Sequence, residues 1–165
     1  MNRTLSTHQS TAPLPAVEHA MRRDRLNGTP VALAVGNDFR STYLGNAIAA
    51  AGGCVAGTAR DVRALERLLD RETPAALAVS HALPGRGLAA AIDTAIERGV
   101  HVIVVGPARL DPGSPLNRLR CMLDPCAGFQ VVEAIADALG EAADAAPDVW
   151  SLGLPEPGAR KHHPG

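Results

Sequence analysis

Val102-Ile103-Val104-Val105 is an unbroken apolar run that lies between Gly99 and Gly106. Its short length, its β-branched residues and the glycines around it predict a strand buried on both faces of a sheet. Similar short runs occur at residues 31–35, 54–57, 76–79 and 120–123. The sequence therefore predicts five short strands.

Apolar residues recur at helical spacing between these strands. The helical faces are Leu44, Ala47, Ile48 and Ala51; Val62, Leu65, Leu68 and Leu69; Leu88, Ala91, Ile92, Ala95 and Ile96; and Val131, Val132, Ile135, Ala138 and Leu139. Thr58-Ala59-Arg60-Asp61 fits a capping box at the start of the second helix, and we expect Gly140 to end the last one. Strands that alternate with helices cannot pair as hairpins, so we expect a doubly wound α/β domain with a five-stranded parallel sheet.

The regular pattern occupies residues 30–146, and both ends of the chain differ from it in composition. Residues 1–29 mix Thr, Ser, His, Pro and Arg, which predicts a mobile N-terminal arm with one helical stretch near residues 16–25. Residues 147–165 contain four prolines and predict an irregular C-terminal tail. Only 17 residues, several of them Pro or Gly, separate Gly106 from Asp124, so the fourth helix should be shortened to about residues 115–120 or be irregular.

Composition and charge exclude several functional classes. The 165 residues include 16 basic and 17 acidic side chains, and the net charge of −1 excludes the strongly basic footprint of a nucleic-acid-binding protein. The three cysteines lack the spacing of a disulfide framework, which favours a reduced, cytoplasmic protein. No apolar run of about 18 residues is present to span a membrane.

The loops that leave the carboxyl ends of the strands should form the ligand crevice of such a sheet. Their residues resemble the receiver domain of bacterial two-component response regulators. The resemblance covers roughly residues 30–142 and is carried by four stretches: Gly36-Asn37-Asp38, Val55-Ala56-Gly57-Thr58-Ala59, Leu83-Pro84-Gly85 and Leu123-Asp124-Pro125. It implies a flavodoxin-like, receiver-type fold for residues 30–146.

The resemblance also implies where the family's phosphotransfer residues would lie. In receivers, two acids after the first strand and one at the end of the third hold Mg²⁺, and the last acid accepts a phosphoryl group. By position the acid pair falls on Gly36 and Asn37, or after a one-residue slip on Asn37 and Asp38, and the phosphoacceptor falls on Ser80. A serine hydroxyl cannot form an acyl phosphate.

The remaining two positions depart from the family pattern as well. The hydroxyl residue that ends the fourth strand becomes Gly106, and the lysine that precedes the last proline becomes Asp124. This second change reverses the charge at the place where a phosphoryl group needs a cation. The sequence thus predicts a degenerate receiver with no catalytic residue, no metal and no cofactor. Its vestigial pocket comprises Gly36, Asn37, Asp38, Ser80, Gly106 and Asp124.

These departures predict a non-catalytic signalling module that works by contact with a protein partner, a histidine kinase or another signalling protein. The favoured contact surface is residues 106–139. A homodimer through the last helix is one expected assembly. We expect neither nucleic acid nor a membrane as a partner. Two alternatives stay open. One is a receiver that is phosphorylated at a non-standard residue such as Asp38. The other is a small nucleotide- or ligand-binding domain that uses Arg86 as an anion contact.

Overall fold

The computed structural model describes residues 25–107, 110 and 112–145, so most of the expected N-terminal arm and all of the expected tail at 147–165 lie outside the described residues. The elements, in chain order, are β1 (Pro30–Ala34), α1 (Asp38–Ala50), β2 (Cys54–Thr58), α2 (Val62–Arg71), β3 (Ala76–Ser80), α3 (Leu88–Glu97), β4 (His101–Gly106), a 3₁₀ helix (Pro115–Arg118), β5 (Arg120–Leu123) and α4 (Gly128–Ala145). No helix within the described ranges is long and apolar enough to cross a membrane.

The five strands form one parallel sheet in the order β2-β1-β3-β4-β5. The chain runs outward from β1 to the edge strand β2 and then returns across β1 to build the other half. This reversal confirms the doubly wound α/β fold that the sequence predicts. It also places the topological switch point, where such folds bind ligands, between β1 and β3.

The hydrophobic core consists of two layers, one on each face of the sheet. Alternate strand residues point to opposite faces, so Leu33 and Ile103 pack with α1 and α4, whereas Leu77 and Val104 pack with α2 and α3. All of the buried apolar residues in the described chain are aliphatic. The small alanines among them allow the helices to lie close to the sheet.

The segment between β4 and β5 is shortened as the sequence predicts. Among residues 107, 110 and 112–119, which the structure describes, it contains a single 3₁₀ turn, Pro115–Arg118, in place of a full fourth helix. The Ser114 hydroxyl accepts a hydrogen bond from the Leu116 N–H at 3.3 Å, and the Leu116 side chain is buried in the α2–α3 layer. One buried leucine therefore anchors this turn.

Packing begins before residue 30, contrary to the expected arm boundary. Leu26 is only 1% exposed and lies in the α1–α4 layer. Its N–H donates to the carbonyl of Ala51 at 3.0 Å, and the Gly28 N–H donates to the Gly52 carbonyl. Residues 26–29 thus belong to the packed domain, because a leucine side chain and two backbone hydrogen bonds hold them against the end of α1.

Two expected helix boundaries are wrong. Thr58 is the last residue of β2, and Asp61 alone caps α2 by accepting a hydrogen bond from the Ala64 N–H at 2.7 Å. The capping box fails because the strand continues through the position that the box needs as its N-cap. Gly140 does not end α4, which continues to Ala145, because this glycine keeps a negative φ and stays helical.

Candidate functional site

The predicted pocket residues lie at the carboxyl edge of the sheet. The parallel register pairs Ala34 with Val79, Ser80 with Val105, and Gly106 with Leu123, so β1, β3, β4 and β5 end at the same edge. The loops after these strands carry the remaining pocket residues. We call this region the carboxyl-edge site.

The loop after β1 uses its polar residues to start α1. Gly36 has a φ of +69°, and a Cβ on it would lie 3.3 Å from Pro84 Cδ, so an aspartate at this position would be strained and crowded. The Asn37 side chain caps α1 by accepting a hydrogen bond from the Arg40 N–H at 3.1 Å. This loop therefore has a helix-capping role and supplies no carboxylate at either of these two positions.

Asp38 forms an exposed ion pair with Arg60, which lies in the loop that precedes α2. Its Oδ1 lies 2.8 Å from Arg60 Nε, and the two side chains are 68% and 74% exposed. No group of three or more His, Cys, Asp or Glu side chains in the described part of the chain is arranged to hold a metal ion. Asp38 thus faces a surface arginine and is not part of a carboxylate cluster.

A histidine covers the end of β4. A Cβ on Gly106 would lie 3.0 to 3.2 Å from atoms of the His81 side chain, and His81 Nδ1 lies 3.4 Å from the Val105 carbonyl. The imidazole therefore takes the space that a side chain at position 106 would need. The neighbouring Ser80 hydroxyl accepts a hydrogen bond from the Ala82 N–H at 3.3 Å, a contact within its own turn.

A bidentate ion pair occupies the other side of the site. Arg40 Nη1 donates to Asp124 Oδ2 at 2.7 Å, and Arg40 Nη2 lies 2.6 Å from Asp124 Oδ1. The Arg40 side chain is 24% exposed and that of Asp124 is 40% exposed. The Asp124 N–H donates to the Gly106 carbonyl at 2.8 Å, which fixes the aspartate at the end of β4, and Arg40 Nη2 also contacts Cys126 Sγ at 3.6 Å.

This contact holds both partners in their charged forms. The hydrogen bonds from Arg40 lower the pKa of Asp124, and the positive charge of Arg40 adds to this effect, whereas burial opposes it. The hydrogen bond to Asp124 in turn raises the pKa of Arg40. Arg40 of α1 thus supplies a positive charge at the carboxyl-edge site, and the carboxylate of Asp124 neutralises it.

The structure brings some of the predicted residues together and leaves others apart. Gly106 and Asp124 are hydrogen-bonded neighbours, whereas Asp38 pairs with Arg60. Arg86 lies on the exposed β3–α3 loop, and its side chain makes no hydrogen bond or ion pair with any described residue. Sequence reasoning missed Arg40, although the reversed charge at Asp124 was a signal that a compensating cation should lie nearby.

The comparisons with known proteins support the fold. No family model and no curated protein sequence matches the chain. Among solved structures, the chain is similar to the receiver domain of the response regulator PhyR from Erythrobacter litoralis, with 22% identity, a TM-score of 0.62 and coverage of 70% of this chain and 92% of that one. It is also similar to the receiver domain of the putative response regulator NarL from Mycobacterium tuberculosis, with 20% identity, a TM-score of 0.59 and coverage of 69% and 98%.

A third similar structure is longer than this chain. It is the anti-anti-sigma factor PhyR from Bartonella quintana, with 15% identity and a TM-score of 0.58. The match covers 79% of this chain and 53% of that protein. Together these structures show that the chain has the receiver-type fold.

Proposed function

We propose that this protein is a non-catalytic, receiver-type signalling module that works in the cytoplasm by binding another protein. The observation that carries the proposal is the Arg40–Asp124 ion pair at the carboxyl-edge site. A site built for phosphotransfer needs several carboxylates to hold a divalent cation and a free positive charge for the phosphoryl oxygens. Here the positive charge of Arg40 is already neutralised by the carboxylate of Asp124.

The other positions of the site support the same proposal. Ser80 offers a hydroxyl that is engaged within its own turn, and Gly106 offers no side chain. His81 lies over Gly106, so the end of β4 is covered. The groups that phosphotransfer needs are therefore missing at the ends of three strands, and no single substitution accounts for their absence.

Exposed apolar side chains beside the ion pair give the partner a surface to bind. Phe39 is 83% exposed and Leu123 is 59% exposed, and each directly precedes one member of the Arg40–Asp124 pair. The cores of protein interfaces are enriched in aromatic and apolar residues, with polar groups around them at the rim. We infer that the partner, a histidine kinase or another signalling protein, contacts the domain here, within or next to residues 106–139. The similar structures include a response regulator domain and an anti-anti-sigma factor, which is consistent with such a role.

The decisive experiment asks whether the full chain accepts a phosphoryl group. The protein is incubated with acetyl phosphate and Mg²⁺, beside a conventional receiver domain as positive control, and both are read by intact mass. We expect the control to gain a phosphoryl group and this chain to gain none. A phosphorylated chain contradicts the proposal, and loss of that modification in Asp38→Asn would establish the alternative of a receiver with a non-standard acceptor.

The binding surface is tested by comparing variants in affinity capture from the source cells. Leu123→Asp should lose the bound protein, because it places a charge in the contact, whereas Ile96→Asp, at a 40% exposed residue of α3, should retain it. A protein that binds both variants equally well contradicts this assignment of the surface.

A second candidate function rests on Arg86. Its guanidinium has no hydrogen-bonding partner among the described residues and lies on the loop that leads into the switch-point edge. A nucleotide or another anion that binds the native state there would raise the melting temperature by an amount that grows with the logarithm of its concentration relative to its Kd. A rise that is abolished by Arg86→Ala would favour this candidate over the signalling module.

A further inference from the structure

The edge strand β2 has one free side. It pairs with β1 on its other side, and no further strand in the described part of the chain pairs with it. Edge strands commonly carry a charged residue or a proline that discourages an added strand. The opposite edge strand, β5, contains Arg120, whereas the five residues of β2, Cys54–Thr58, include neither a charge nor a proline. The free side of β2 is therefore open to strand addition.

A groove lies beside β2 on each face of the sheet. The α2-side groove, with a volume of about 300 Å³, is lined by Ala56 of β2 and by Leu68 and two arginines of α2. The α1-side groove, with a volume of about 510 Å³, is lined by Val55 of β2 and by polar side chains of α1. Alternate residues of a strand point to opposite faces of its sheet, so an added strand would place its side chains in the two grooves in turn.

The main-chain contacts of such a strand would be short. A bulge at Ala56 interrupts the ladder between β2 and β1, so the free side of β2 is irregular at its middle. The backbone of an added strand would pair over a few residues and fix its direction. Its affinity would come mainly from the side chains that the two grooves accept.

The charges of the α2-side groove favour an acidic strand. Arg67 and Arg71 line it, both are exposed, and neither forms an ion pair with a described residue. Glu72 also lines this groove, which leaves one positive charge in excess. The two acids within α2, Glu66 and Asp70, line a different groove that faces α3. Acidic side chains opposite the two arginines therefore give the better electrostatic match.

The α1-side groove has no net charge. Its charged residues, Asp38 and Arg60, pair with each other, and the rest of its polar lining is formed by hydroxyl and amide groups of Ser41, Thr42 and Asn46. Such groups hydrogen-bond to small polar side chains. The two grooves thus favour different residues at alternate positions of one strand.

The same arginines disfavour a second copy of the chain as the added strand. Two β2 strands that pair antiparallel about a two-fold axis perpendicular to the sheet keep both α2 helices on the same face. Arg67 and Arg71 of the two copies would then face each other across the junction, where like charges repel. A separate acidic strand has no such conflict.

We propose that the free side of β2 binds an extended acidic segment of another protein by strand addition. Acidic side chains of that segment lie in the α2-side groove, and small polar side chains lie in the α1-side groove. The proposal adds a binding surface to the proposed function and does not depend on it, because β2 and β5, which carries Leu123, are opposite edges of the sheet.

The test selects peptides from a random displayed heptapeptide library on the full chain and measures the affinity of the synthesised binder by fluorescence anisotropy. We expect Asp or Glu at alternate positions of the selected peptides. The double variant Arg67→Glu/Arg71→Glu should weaken binding about tenfold, because two exposed ion pairs are lost, and should bind more tightly once the acids of the peptide are replaced by lysine. Arg63→Glu makes the same change of charge in α2 but lines neither groove, so it should weaken binding about twofold or less.

Methylated peptides separate strand addition from attraction between charges alone. N-methyl groups on one alternate set of peptide amides remove the hydrogen bonds to β2 and should weaken binding about tenfold or more, whereas the other set should have little effect. Val55→Lys places a charge on the free side of β2 and should also weaken binding, with its melting temperature measured to show that the variant is folded.

Four results would overturn the proposal. They are a library that yields no binder, selected peptides without alternate acids, equal affinity for the wild type and the Arg67→Glu/Arg71→Glu variant, and equal effects of the two methylated sets. A chain that is dimeric in solution and becomes monomeric as Val55→Lys would assign the strand to a second copy and would also overturn it.

Discussion

The Arg40–Asp124 ion pair should contribute measurable coupling energy to the stability of the domain. We would replace each residue alone and both together, as Arg40→Gln and Asp124→Asn, and obtain the coupling energy from the double-mutant cycle. Exposed ion pairs give about 0.2–1 kcal/mol. This pair is bidentate, with contacts of 2.7 and 2.6 Å, and its arginine is only 24% exposed, which places it at about 1 kcal/mol. Because Asp124 is 40% exposed, solvent screening keeps the coupling from exceeding that range.

The assay is urea unfolding followed by far-ultraviolet circular dichroism. A loss of about 1 kcal/mol corresponds to a fall of roughly 3–5 °C in melting temperature for a domain of this size. Because the pKa of Asp124 is lower in the folded than in the unfolded state, the stabilisation is present above the unfolded value of about 3.9 and is lost as the pH falls through the folded one. The coupling measured at pH 7 should therefore shrink as the pH falls below about 3.9 and passes through the folded-state pKa of Asp124.

The chain provides a matched control in the Arg60–Asp38 pair. It is monodentate and both side chains are about 70% exposed, so its coupling should be about 0.3 kcal/mol or less. If the Arg40–Asp124 coupling is no larger than that of Arg60–Asp38, or does not fall on acidification below the unfolded-state pKa of about 3.9, the reasoning about this site is refuted.

Three further substitutions test other features of the structure. Gly106→Thr should displace the His81 ring and lower the free energy of unfolding by about 1–3 kcal/mol. Urea unfolding measures this loss, and the NMR signals of the His81 imidazole report the displacement. Gly113→Ser is the control, because the space around Gly113 is open and the substitution should cost little. Leu26→Ala should cost about 2–5 kcal/mol, and a loss well under 1 kcal/mol would mean that the packed domain starts at residue 30 after all. Gly140→Ala should raise stability by about 0.5–1 kcal/mol, because α4 continues through it with nothing near its Cβ position; a lower melting temperature would contradict the helical assignment.

Local patterns were sufficient to predict the elements of the fold. The β-branched run of β4 was found because a strand buried on two faces needs a continuous apolar stretch, whereas β5 at residues 120–123 is a mostly exposed edge strand that was found from its short run of Cys, Met and Leu. Boundaries were less predictable. The capping box at Thr58 and the stop at Gly140 fit local rules, but pairing with β1 extends β2, and a glycine with negative φ does not interrupt α4.

The site could be predicted in part only. The predicted strands were enough to place Gly106 and Asp124 at the site. The end of a strand is fixed by the backbone, so its position does not depend on which side chain it carries. Arg40 was missed because its partner is 84 residues away and a helix arginine looks like an ordinary solvated charge in the sequence. Leu26 was missed for a related reason, since it is a single apolar residue in a polar segment and only the end of α1 buries it.

The opposite charges of Arg40 and Asp124 make these two positions depend on each other. A lysine at position 124 would set two cations against each other, and removing the arginine alone would leave the aspartate without a counter-ion. Either substitution alone should lower stability, so we expect the two positions to change together.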